Sequence, residues 1–156
     1  MRITFLGAAR MVTGSSFLLE HNGFSLLIDL GLAQGNDEER TGSELPFSAQ
    51  DIDAVILTHA HIDHSGRLPL IAKEGYSGPI YATEATYRLS SIMLLDSAHI
   101  QESDALWKSR RSMREGGSAV EPLYTAADAE SALSLFRSVP YCQRIFLRDD
   151  ISFMMI

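Results

Sequence analysis

The chain reads as a mixed α/β domain with its chemistry gathered at the end of one strand. Three observations predict this. Short runs of β-branched and large apolar residues at 2–6, 16–20, 24–29 and 55–57 are bounded by Gly, Asn and Asp, as strands are. The segment 85–114 has no Pro or Gly and carries Leu89, Ile92, Met93, Leu95, Ile100 and Leu106 at approximately helical recurrence. Between these two kinds of element, three of the five histidines, His59, His61 and His64, fall within six residues, with Asp63 among them.

The elements follow in order. A first strand at 2–6 runs into a turn over 7–14, and strands at 16–20 and 24–29 form a hairpin around His21, Asn22 and Gly23. The result is an antiparallel first sheet, with His21 assigned to the turn. Asp29 closes the third strand, and Gly31 and Gly35 after it allow the backbone to turn tightly. On its residues alone, Asp29 is a strand-ending turn former. The polar stretch 36–48 reads as a surface loop before the strand that carries the histidines, 51–58, and 69–74 as a short helix closed by Gly75.

A strand at 80–82 then leads to Thr83, which caps a long helix ending before Gly116 and Gly117. Lys108, Arg110, Arg111 and Arg114 complement the dipole at its end. A solvated basic face describes them better than an RNA contact. Thr125 caps a second helix over 128–138, with Leu133, Leu135 and Phe136 on it and Pro140 ending it. Strands at 144–147 and 151–156 surround the turn Arg148, Asp149, Asp150.

Composition excludes several classes of function. At 156 residues with 46% hydrophobic and 21% charged, the chain has one domain's length and enough apolar side chains for a core. No apolar run is long enough to span a bilayer, and MRITFLGAARMVTG turns polar too soon for a signal peptide. The single Cys142 excludes an internal disulfide and fits a reducing, cytoplasmic setting. A formal net charge of −7 argues against non-specific nucleic-acid binding through a basic surface, though a local patch is compatible with a nuclease.

The histidine cluster is a metal site by chemistry. Imidazole and carboxylate are ligands that divalent zinc accepts, and catalytic sites keep one position open for water. Alternation in an extended segment sends His59 and His61 to one side, where they can share an ion. Asp63 and His64 follow after the chain turns and can face a second ion, with a hydroxide nucleophile between the two. A fortuitous surface cluster would carry the same histidines, but here a strand, a Gly and a helical segment frame them rather than low-complexity sequence.

THAHIDHSG resembles the HxHxDH signature of the metallo-β-lactamase fold. The flanking words FLGAARMVTGSSFLLE, LLIDLGLAQG, GRLPLIAKEGYSGPIYATEAT and LLDSAHIQESDA extend the likeness over nearly the whole chain, to the N-terminal part of the β-CASP ribonucleases. These include the nucleases of the cleavage and polyadenylation specificity factor type. The resemblance implies an αββα sandwich and zinc-dependent hydrolysis of RNA phosphodiesters, with two zinc ions in the complete site. His59 and His61 would hold one ion, and Asp63 and His64 the other. Asp63 would also orient the nucleophile, and Asp29 would lie beneath the metals and support them.

The family's third His motif follows a strand equivalent to 151–156, and the bridging Asp and last His come later still. The expectation for 1–156 is therefore the N-terminal half of the sandwich, with the cap domain and C-terminal half absent and activity lost in isolation. Such a half would leave one sheet face and one sheet edge unprotected, which suits pairing with another copy or a second chain. His99, in LLDSAHIQE with Asp96 three residues before it, is a possible additional ligand that matches no standard family position. Two other functions fit the same residues: a generic metallo-β-lactamase-fold hydrolase of small esters or thioesters, and a non-catalytic truncated module.

Overall fold

The structure is a computed structural model that describes residues 1–10, 12–35 and 44–156. The part of the expected surface loop at 36–43, and Met11 in the first turn, lie outside the described residues. Among the described residues, eight strands and four α-helices follow one another: β1 (Arg2–Phe5), β2 (Ser16–His21), β3 (Phe24–Leu30), β4 (Ala54–Ile56), α1 (Ile62–Ser65), α2 (Leu68–Lys73), β5 (Ile80–Thr83), α3 (Glu84–Arg114), α4 (Ala126–Ser134), β6 (Phe136–Val139), β7 (Arg144–Arg148) and β8 (Ile151–Met154).

β1 to β6 form one sheet in sequence order, antiparallel through β3 and parallel from β3 onward. The expected hairpin and its Asn-Gly turn are present, with Asn22 and Gly23 both at positive φ, as a tight turn between twisted strands requires. The histidine-bearing strand is shorter than expected. β4 ends at Ile56, three residues before His59.

Strict side-chain alternation sorts the sheet into two faces. Leu27, Val55, Ile80, Ala82 and Phe136 share a core with Leu68 and Ile71 of α2, Leu94 and Ala98 of α3, Tyr124, and Ala129 of α4. Their neighbours Leu26, Ala54, Ile56 and Tyr81 face the other way, onto Leu147 and Phe153 of the β7–β8 hairpin. The Tyr81 and Phe153 ring centroids are 5.4 Å apart. Helices therefore cover one face, and the hairpin begins a second layer on the other.

One sequence expectation here needs correction. The helix expected over 128–138 stops at Ser134, and Phe136–Val139 is instead strand β6, paired in parallel with β5 from Ile80↔Phe136 to Thr83↔Val139. Leu133, Leu135 and Phe136 suit either period, and the open β5 edge decides for the strand. Helix α3 has the expected length and the expected Thr83 cap, with Thr83 Oγ1 accepting from Thr86 N at 3.2 Å. Its apolar recurrence, however, is not its buried face. Leu89, Ile92, Ile100 and Leu106 are exposed, while Ser90, Leu94, Ser97, Ala98 and Ala105 face the core. Small residues there let the helix lie close to α4 and Tyr124, and Tyr124 Oη meets Ser97 Oγ at 2.8 Å in the interior. Among the described residues no helix is long and apolar enough to cross a membrane.

Candidate metal centre

The site is built where β3 and β4 end side by side. β3 pairs with β2 through a bulge: Phe17 faces Ile28 and Ser16 faces Leu30, so Asp29 is the extra residue and has no partner. Its φ of 57° lies in the left-handed region, which Asp tolerates better than most side chains. The bulge explains why Leu27 and Leu30, three apart, both reach the helix-side core. It also re-aims the Asp29 carboxylate, only 2% exposed, toward the end of β4.

Three donors meet that carboxylate. Thr58 N donates to Oδ1 at 2.8 Å, the Thr58 hydroxyl donates to Oδ2 at 2.8 Å, and His64 Nδ1 stands 2.7 Å from Oδ2. An ionised carboxylate only accepts, so His64 Nδ1 carries a proton, and in the neutral tautomer this selects, Nε2 is the acceptor nitrogen. Asp29 thus does more than end a strand. It buttresses the histidine cluster from below.

Residues 57–61 belong to no strand or helix, and His61 is the residue before the single turn α1. His59 Nε2 and His61 Nδ1 come within 3.2 Å, so the two rings converge, although the junction rather than β-strand alternation brings them together. On the first turn of α1, His64 Nε2 lies 3.8 Å from Asp63 Oδ2. The His59 and His64 ring centroids are 4.0 Å apart, so the two pairs adjoin. Burial lowers the His59 pKa below its ordinary 6.5, and neighbouring His64 and His61 lower it further against Asp29 and Asp63. The shift favours the neutral imidazole, the form a metal accepts.

The backbone locks this turn in place. Ser15 N donates to Asp63 O at 2.7 Å and Leu32 N to Ile62 O at 2.9 Å, tying α1 to the strands below. Gly31 makes the approach possible, because a Cβ there would sit 1.7 Å from Asp63 O. The sequence suggested a tight turn at Gly31. Close packing is its role instead, and of the two glycines only Gly35 has positive φ.

The four residues expected to hold metal are therefore together, with Asp29 beneath them. Thr58, which joins Asp29 to His59, was not singled out from the sequence; a hydroxyl placed between a buried apolar run and a histidine was its one signal. His99 lies apart. Its exposed ring pairs with Glu102 on the next turn at 3.5 Å, not with the cluster.

A family described as the Metallo-beta-lactamase superfamily matches residues 9–127. The chain belongs to this superfamily. Its relatives bear out the β-CASP resemblance. Ribonuclease TTHA0252 of Thermus thermophilus is 41% identical over 141 residues, which is 90% of this chain and 28% of that protein. Transcription termination factor FttA of Methanosarcina mazei is 44% identical over 99 residues, 62% of this chain and 16% of the factor. The chain thus spans about a quarter of the ribonuclease and about a sixth of the termination factor.

Superfamily membership implies bound metal ions, and the ligand geometry fits them in pairs. Two nitrogens held about 2.0–2.1 Å from one tetrahedral zinc stand about 3.3–3.4 Å apart. The 3.2 Å between His59 Nε2 and His61 Nδ1 needs almost no adjustment. Among the described residues, no three donors already surround a common point, so each pair lacks the further ligands of a closed site.

Proposed function

We propose that this chain is the metal-binding N-terminal portion of a zinc-dependent RNA phosphodiester hydrolase, acting in cytoplasmic RNA processing or decay. One observation carries the reading: two candidate ligand pairs, His59 with His61 and His64 with Asp63, adjoin in a chain 41% identical to a ribonuclease. His59 Nε2 and His61 Nδ1 would hold one zinc, and Asp63 and His64 the other. Zinc, when bound, lowers the pKa of a water and offsets charge developing on phosphate oxygens.

The chain's own residues supply the rest. The half-buried Asp63 carboxylate has no side-chain partner other than His64 among the described residues, which leaves it to orient an attacking water. Asp29 holds His64 in the tautomer that presents Nε2, which is a supporting role away from the substrate. The missing donors and the cap domain would come from the further sequence that the longer relatives possess, or from a second chain or copy.

A direct test is a chimera in which this chain replaces the matching segment of the Thermus ribonuclease. Single-stranded RNA and a small thioester are offered to it with and without the Asp63→Ala change. RNA cleavage abolished by Asp63→Ala supports the proposal. A chimera that hydrolyses the thioester and leaves RNA intact would favour a generic ester hydrolase, and one inert on both would favour a non-catalytic module.

A further inference from the structure

We propose that Thr58 is a positioning residue that fixes the tautomer of His59 and so decides which ring nitrogen faces the metal. This rests on the metal-binding reading of the site. Thr58 Oγ1 lies 2.8 Å from Asp29 Oδ2, 3.0 Å from Asp29 Oδ1 and 3.0 Å from His59 Nδ1. A hydroxyl has one hydrogen and two lone pairs. Turning that hydrogen toward His59 would leave the oxygen's lone pairs facing an acceptor-only carboxylate at 2.8 Å, a repulsive contact. The hydrogen therefore goes to Asp29. His59 Nδ1 must then donate to the hydroxyl, which strips Nε2 of its proton.

Nε2 is the nitrogen that faces His61 Nδ1 across 3.2 Å, so the relay leaves a lone pair pointing where an ion would sit. Asp29 treats His64 in the same way without an intermediary, through the 2.7 Å contact to Nδ1. One buried carboxylate thus sets two histidines, and Thr58 is the link to the farther one. Packing does not account for Thr58, because its side chain is exposed and lies beyond the end of β4. Its orientation comes from Asp29, which accepts from both its backbone N and its hydroxyl.

Valine matches threonine in shape and removes the relay, whereas serine keeps it. The Asp29 carboxylate keeps the residue-58 amide and His64 as donors in each variant, so no buried charge is stranded. The experiment uses the isotope-labelled, metal-free 156-residue chain. Long-range proton–nitrogen correlations report the His59 tautomer at a pH where the ring is neutral, and zinc titration reports affinity. The native chain and Thr58→Ser are expected to hold His59 as the Nδ1–H form. Thr58→Val is expected to revert to the Nε2–H form that unpartnered imidazoles favour, with zinc affinity falling about tenfold, as for other groups that orient a metal-bound histidine. Thr58→Ala serves as a second removal if the valine variant does not give a dispersed spectrum.

Persistence of the Nδ1–H form in Thr58→Val, or a Thr58→Ser chain that behaves like Thr58→Val, would overturn the proposal. A native chain that takes no zinc would overturn the metal reading of the site, while the tautomer comparison still decides the role of Thr58.

Discussion

His64 Nδ1 stands 2.7 Å from Asp29 Oδ2, joining a side chain on α1 to a carboxylate that a bulge has pushed out of the β3 ladder. Thirty-five residues separate the two in sequence. The bulge, the left-handed φ of Asp29 and the buried carboxylate have a single outcome: a histidine turned so that its free nitrogen faces outward.

Asp29→Asn tests that support. The amide keeps the shape but has one acceptor where three donors now converge, so one donor is left facing an NH2 group. Stability should fall by about 1–3 kcal/mol, and zinc affinity by about 10–100-fold. Chemical denaturation and zinc titration check the two effects separately. An Asp29→Asn chain with unchanged affinity would show that the carboxylate only closes the strand.

The buried face of α3 predicts a contrast between neighbours. Leu94 is fully buried against the sheet, and Leu94→Ala should cost about 2–5 kcal/mol. Ile92, two residues earlier, is 69% exposed, and Ile92→Gln should change stability by no more than about 0.5 kcal/mol. Ser90 buries a hydroxyl that has no partner among the described residues, so Ser90→Ala should stabilise the chain by about 1 kcal/mol. Thermal melts of the three variants check the ordering. A large loss at Ile92 would mean that α3 packs through its other side.

Two of the five tyrosines should resist alkali. Burial raises the Tyr76 phenol above its ordinary 10, with Tyr81 adding to the effect, and burial likewise raises Tyr124. A group whose pKa is higher in the folded state stabilises fully below its unfolded value, and that contribution is lost as pH rises past it. The fold should therefore hold to about pH 10 and weaken above it. Tyrosinate absorbance from Tyr76 and Tyr124 should appear only together with loss of the circular dichroism of the fold. Ionisation of these two phenols in a folded chain would contradict this.

The histidine cluster was legible because histidine is rare and four candidate ligands within six residues have few other uses. Caps and turns were legible for a similar reason: Thr83, Thr125 and Asn22-Gly23 act through local hydrogen bonds and backbone freedom. What failed depended on partners far away in the chain. Residues 136–139 are extended because β5 offers an open edge, and nothing within 128–140 records that. The buried face of α3 was not given by its recurrence, because period and face are separate facts. The recurrence of Leu89, Ile92 and Ile100 gave the period, but Tyr124 and α4 selected the side with Ser90, Ser97 and Ala98. Thr58 was passed over since its meaning lies in a bond to Asp29, twenty-nine residues earlier.

The central claim is that this chain carries two ligand pairs, each short of the donors that close a zinc site. Elemental analysis after exhaustive dialysis tests it most directly, on the 156-residue chain and on its chimera with the remainder of the Thermus ribonuclease. The account predicts well under one zinc retained by the chain alone and two by the chimera, with Asp63→Ala lowering the chimera's content. Two zinc ions held tightly by the isolated chain would contradict it, and would mean that donors beyond His59, His61, Asp63 and His64 already complete the site.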